Sequence, residues 1–143
     1  MATIEWTDDL KLGVPAIDAE HRELLRLTNE VLEAVSGAAA SPELVQTMAR
    51  LIARAEGHFA AEELLLDRNN YPQLAAHRAE HARLITEARR LRDRLAAISG
   101  DNPEQQEELR QLPIEAANYF RRWLLDHILA EDRPYRPFLM RLT

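Results

Sequence analysis

A chain of 143 residues, 46% hydrophobic and 29% charged, has the length of one ordinary domain and can bury roughly two thirds of its unfolded surface. Its formal charge of -6 offers no domain-wide positive field, which argues against nucleic acid as a partner. The absence of cysteine removes disulfides, thiolate metal sites and cysteine nucleophiles.

The amino terminus, Met-Ala-Thr-Ile-Glu-Trp, lacks a basic region followed by an apolar run. No later stretch reaches the roughly 18 apolar residues of a membrane span, so a cytoplasmic protein with no membrane partner is expected. Residues 1–17 carry Ile4, Trp6, Leu10, Leu12, Val14 and Ile17 without a helix period, broken by Gly13 and Pro15. They suit an extended arm packed along a bundle.

Asp18 is the expected N-cap of a first helix, whose apolar stripe of Ile17, His21, Leu24, Leu25, Thr28, Val31, Leu32 and Val35 runs to a stop at Gly37. Ser41-Pro42 opens a second, with Leu44, Val45, Met48, Leu51, Ile52, Ala55, His58, Phe59, Glu62 and Leu66 on one stripe ending near Asn69-Asn70. A third begins at Pro72 and carries His77, His81, Leu84, Ala88, Leu91 and Leu95 as far as Ser99-Gly100. The polar segment from Asp101 to Leu112 is expected to be a loop, because Pro113 would break or kink a helix crossing it. The fourth helix is then placed from Pro113 to Ala130, with Ile114, Ala117, Phe120, Leu124, His127 and Ile128 inward. No strand pattern competes. The expectation is an all-α, up-down-up-down four-helix bundle with an extended N-terminal arm, one domain spanning residues 1–143.

Chemistry concentrates between Gly57 and His81. His58 and Glu62, and likewise His77 and His81, are four residues apart. Each pair therefore projects from one helix face, about 40° apart in rotation, and Tyr71-Pro72 between them turns the two helices into antiparallel neighbours. One such pair is common in any helix. Here, however, all five histidines fall on predicted helices, and five imidazoles buried without metal in one small core would be costly unless each were hydrogen-bonded. Asp132 lies five residues after His127, a rotation of about 140°, so it joins the others only if the helix loosens before Pro134. Glu63 and Glu80 adjoin candidate ligands but point to other helix faces, and their default is exposure. The arginines Arg89, Arg90, Arg92 and Arg94 read as a solvated face.

Taken together, Ile17-Asp18-x-x-His21, His58-Phe59-x-x-Glu62-Glu63, Tyr71-Pro72 with His77-x-x-x-His81, and Trp123-Leu124-x-x-His127-Ile128-x-x-x-Asp132-x-x-Tyr135 resemble the hemerythrin family, and most of all the single-domain bacteriohemerythrins. The resemblance spans nearly the whole chain. It implies a cofactor of two non-haem iron ions, carboxylate-bridged with an oxo or hydroxo bridge. His77, His81 and His127 would hold one iron, His21 and His58 the other, and Glu62 and Asp132 would bridge them. Leu66 departs from the methionine of many relatives, which touches packing more than ligation.

Two near-octahedral ions need about twelve donor positions, and this set with its bridge fills all but about one. Three histidines saturate one ion, so the open position belongs to the iron of His21 and His58. Phe59, Trp123, Leu124 and Ile128 are placed to wall that position with apolar surface. The resemblance thus implies reversible dioxygen binding in a carrier, store or sensor, with dioxygen as the partner. The alternative is a di-iron enzyme or detoxification protein acting on peroxide or nitric oxide. An enzyme is not the expectation, since the carboxylate-rich Glu-x-x-His pairs of ferritin-like oxidases are missing from the required positions. A monomer is expected, and a sensor would need an output domain for which the chain leaves no room.

Overall fold

The computed structural model describes residues 3–35, 42–98, 102–127 and residue 137. Four helices follow in order, α1 (Pro15–Val35), α2 (Pro42–Arg68), α3 (Leu74–Ala97) and α4 (Gln106–Asp126), and no strand occurs among the described residues. Each helix packs on its neighbour in the chain, and α1 closes the ring against α4. The fold is the expected all-α four-helix bundle with an N-terminal arm. Among the described residues no helix is long and apolar enough to cross a membrane.

The arm lies along α1. The Ile4 N–H donates to Asn29 Oδ1 at 2.8 Å and Asn29 Nδ2 returns a bond to the Ile4 carbonyl at 2.9 Å, while the Arg22 guanidinium sits 5.0 Å over the Trp6 ring. Leu10, Leu12 and Val14 of the arm are buried, the last two in a cluster with Ile17 and Leu66. The arm is shorter than expected, because α1 begins at Pro15 and a short 3₁₀ turn occupies Asp8–Leu10. Proline needs no N–H partner in a first turn and presets its φ, so Pro15 starts the helix. Asp18, one turn in, instead accepts from the Leu12 N–H at 2.8 Å and the Gly13 N–H at 3.1 Å. It pins the incoming chain at Gly13, whose φ of 86° favours glycine.

Helix α2 stops near Asn69-Asn70 as the sequence suggests. Asn70 takes a left-handed φ of 56°, its N–H donates to the Asp67 carbonyl at 3.1 Å, and the Tyr71 N–H reaches back to the Leu66 carbonyl at 2.9 Å. Those two bonds satisfy carbonyls the helix leaves open, and Tyr71 packs on the cluster that contains Leu66. Pro72 falls in the turn, so α3 starts two residues later than expected, at Leu74.

The last helix overturns an expectation. Asn102 caps a 3₁₀ turn by accepting from the Glu104 N–H at 2.9 Å, and α4 runs from Gln106 straight through Pro113. An internal proline costs about 3 kcal/mol. Leu112, Pro113, Ala116, Ala117 and Phe120 are all buried on one face of this continuous helix, and each larger side chain so buried contributes about 1.5–3 kcal/mol, which outweighs the missing bond. Ile114, expected inward, is 49% exposed. At about 100° per residue it lies on the far side of the helix from Leu112 and Ala116. The arginines of α3 do form a surface face, pairing with Glu56, Glu87, Asp93 and Glu108.

Antiparallel alternation has one consequence for function. The first turns of α1 and α3 and the last turns of α2 and α4 share one end of the bundle. That end holds every histidine.

Candidate metal centre

All five histidines and Glu62 are buried. His58 and Glu62 face inward from the last turns of α2, and their four-residue spacing sets His58 Nε2 3.1 Å from Glu62 Oε2. Across the turn, His77 Nε2 lies 2.5 Å from Glu62 Oε1 and His81 Nε2 3.3 Å from the same oxygen. The two rings from α3 stand edge to face with centroids 4.4 Å apart. His21 from α1 and His127, at the C-terminal end of α4, complete the chamber, their ring centroids 6.1 Å apart. Three imidazole nitrogens from two helices thus converge on one carboxylate.

Donor atoms within 4.8 Å of one another fall into two groups that share Glu62: His21, His58, Glu62 and His127, and Glu62, His77 and His81. His127 stands between the halves, its ring centroid 5.2 Å from His81, 6.2 Å from His77, and 6.1 and 6.2 Å from His21 and His58. Asp132 and Ile128 lie outside the described residues.

Burial alone would push the Glu62 carboxyl up, but the His58, His77 and His81 imidazoles against its oxygens and the charge of His127 outweigh it and hold the group well below the usual carboxylate range. An ionised carboxylate inside the bundle demands positive charge around it. Glu62 Oε2 and His81 Nε2 are nonetheless buried without a well-aligned hydrogen bond, their imidazole and carboxylate neighbours standing in close contact at 3.1 and 3.3 Å. A cation between these groups would satisfy both, and the donor set of imidazoles with few carboxylates suits a first-row transition metal. The residues fit a metal centre.

The model of the hemerythrin HHE cation binding domain matches residues 12–139. The chain belongs to the hemerythrin family. Among its relatives, the bacteriohemerythrin of Stenotrophomonas maltophilia (strain R551-3) is 31% identical over 137 residues, covering 94% of this chain and 80% of that one. The bacteriohemerythrin of Methylococcus capsulatus (strain Bath) is 27% identical and covers 97% and 98%. A crystal structure of a hemerythrin carrying a leucine-to-tyrosine substitution superposes with a TM-score of 0.75 at 25% identity, covering 96% of this chain and 97% of that one.

Around the hemerythrin chamber the aromatic residues singled out from sequence are all buried. Phe59 stacks on His81, centroids 3.8 Å apart and planes 5° from parallel, and Trp123 lies nearly parallel to His127 at 6.1 Å. Leu124 has no exposed surface. Two carboxylates beside the site escaped the sequence reading. Glu20 contacts His58 Nδ1, and Glu63, expected to be exposed, accepts from His81 Nδ1 at 3.1 Å. Each is a sequence neighbour of an inward residue, about 100° around its helix. Only the position of the adjoining helix turns that offset into a contact. Glu80, also expected to be exposed, is half-buried and held by Arg83 at 2.5 Å.

Proposed function

We propose that this hemerythrin-family protein holds two non-haem iron ions and binds dioxygen reversibly. The observation that carries the reading is the convergence of buried imidazoles from α2 and α3 on the single buried carboxylate of Glu62. Two irons held there would supply one electron each to a bound dioxygen molecule.

His77, His81 and His127 would serve one iron and His21 and His58 the other. Glu62 would join them, with Asp132 as the second shared carboxylate. Ionised Glu62 suits the bridging role, since it offers both oxygens without first losing a proton. Phe59, Trp123, Leu124 and Ile128 would keep water from the open position. No side chain has to donate or abstract a proton, which favours binding over enzymatic turnover. The names of the curated relatives support the same reading, as does an imidazole-rich rather than carboxylate-rich donor set. We further take the protein to act in the cytoplasm as a monomer.

Iron analysis with visible spectra tests this. Two irons per chain are expected, with a near-colourless reduced form that gains an absorption band in air and loses it when oxygen is removed. A band that forms once and never reverses would instead favour an oxidase or a protein consuming peroxide or nitric oxide. Fewer than two irons would overturn the di-iron reading.

A further inference from the structure

Beyond the chamber itself, two carboxylates reach the outer ring nitrogens of two of its histidines. His58 presents Nε2 to Glu62 and Nδ1 to Glu20 of α1. His81 presents Nε2 to Glu62 and Nδ1 to Glu63 of α2, at 3.3 and 3.1 Å. Arg78 of α3 lies 3.4 Å from the other Glu63 oxygen, which helps to aim that carboxylate across the helix interface. Both imidazoles are almost completely buried, whereas the Glu20 and Glu63 side chains retain 38% and 22% of their exposure. The carboxylates therefore sit on the solvent side of rings whose inner nitrogens face the centre.

The arrangement repeats along the chain. Helix α1 carries Glu20 beside His21, and α2 carries Glu63 beside Glu62. In each pair one residue enters the chamber while its neighbour turns to the histidine of the next helix. An imidazole that donates Nδ1–H to a carboxylate must keep Nε2 as its lone-pair nitrogen, and the negative charge behind it makes that nitrogen a stronger donor.

We infer that Glu20 and Glu63 are positioning residues of the metal centre, one for each half, which fix His58 and His81 with Nε2 inward and strengthen their hold on the metal. The inference rests on the di-iron reading above. It assigns to the two residues both orientation, through the hydrogen bond, and donor strength, through the charge.

Alanine and glutamine variants separate these effects, because glutamine keeps an acceptor oxygen and loses only the charge. Iron-loaded parent, Glu20→Ala, Glu20→Gln, Glu63→Ala and Glu63→Gln are exposed to excess ferrous chelator, and iron release and the midpoint potential of the centre are followed. Each alanine variant should release iron about 10-fold or more faster than the parent. Each glutamine variant should fall between, with a midpoint potential above the parent's, since loss of negative charge favours the ferrous state. Thermal stability of the metal-free chains should differ little, as both carboxylates are partly solvent-exposed. Alanine variants that release iron at the parent rate would overturn the inference, as would glutamine variants with an unmoved potential. A parent that binds no iron would sink the di-iron reading instead.

Discussion

Replacing Leu124 with alanine separates packing from gating at the proposed oxygen site. Leu124 has no exposed surface and belongs to the main core cluster, so the substitution loses the whole transfer energy of the side chain and leaves a cavity. The cost should be about 3 kcal/mol, within the usual range of roughly 2.7–5.0 for buried leucines. For a domain of this size that lowers the melting temperature by about 10 °C. Leu91 provides the control. It is 1% exposed in the same cluster, yet lies about 15 Å along α3 from His81, at 1.5 Å per residue. Leu91→Ala should therefore cost about as much stability as Leu124→Ala. Leu124 precedes His127 by one helical turn, and its truncation should let water into the open position. The assay records melting curves and the decay of the oxygenated absorption band on both variants, with iron content as a check. Faster decay in Leu124→Ala alone, with full iron content, is the expected result. Equal loss of stability in both variants, with the band decaying at the parent rate in each, would refute the gating role and leave Leu124 as core packing.

Removing either imidazole of α3 (His77→Ala or His81→Ala) should release metal and lower the melting temperature, because Glu62 then loses a buried partner; metal analysis of the purified variants checks this. Glu62 sets an acid limit on the metal-free chain. Its folded carboxyl is held well below the ordinary 4.5, so its stabilisation is complete above that value and is lost as pH falls toward the folded one. Melting curves of metal-free parent and Glu62→Gln between about pH 6 and pH 3 should differ in slope, the parent falling more steeply because Glu62 titrates only there, while Glu23, Glu80 and Glu87, also held low, titrate in both. At the other extreme, burial and then the charge of Glu87 push the Tyr119 hydroxyl from 10.0 up to about 12. A raised acid favours the folded state below its unfolded value, and the benefit disappears as pH climbs from 10.0 to about 12. Ultraviolet titration should show a late tyrosine component that is absent in Tyr119→Phe. That variant also loses the bond from the Tyr119 hydroxyl to the Leu84 carbonyl, worth about 0.5–1 kcal/mol at this half-buried position, which denaturant unfolding would register.

What the sequence determined by itself was periodic or local. Four amphipathic stretches repeat at three and four residues, so the helices and their buried faces on α1, α2 and α3 follow from spacing alone. Pro72 and Asn70 end α2 through backbone preferences that need no tertiary partner. The four-residue steps from His58 to Glu62 and from His77 to His81 place each pair on one face whatever surrounds it. Packing decided the rest. Local chemistry at Pro113 argues for a break, and only the burial of Leu112, Pro113 and Ala116 across the bundle carries α4 through it and turns Ile114 outward. Glu20 and Glu63 carry no periodic signal, because a residue one step from an inward position can face solvent or a neighbouring helix equally well. Which of the two it meets depends on where the next helix lies. That is set by contacts between residues far apart in the chain, here 38 positions for Glu20 and His58 and 18 for Glu63 and His81, beyond the reach of any local pattern.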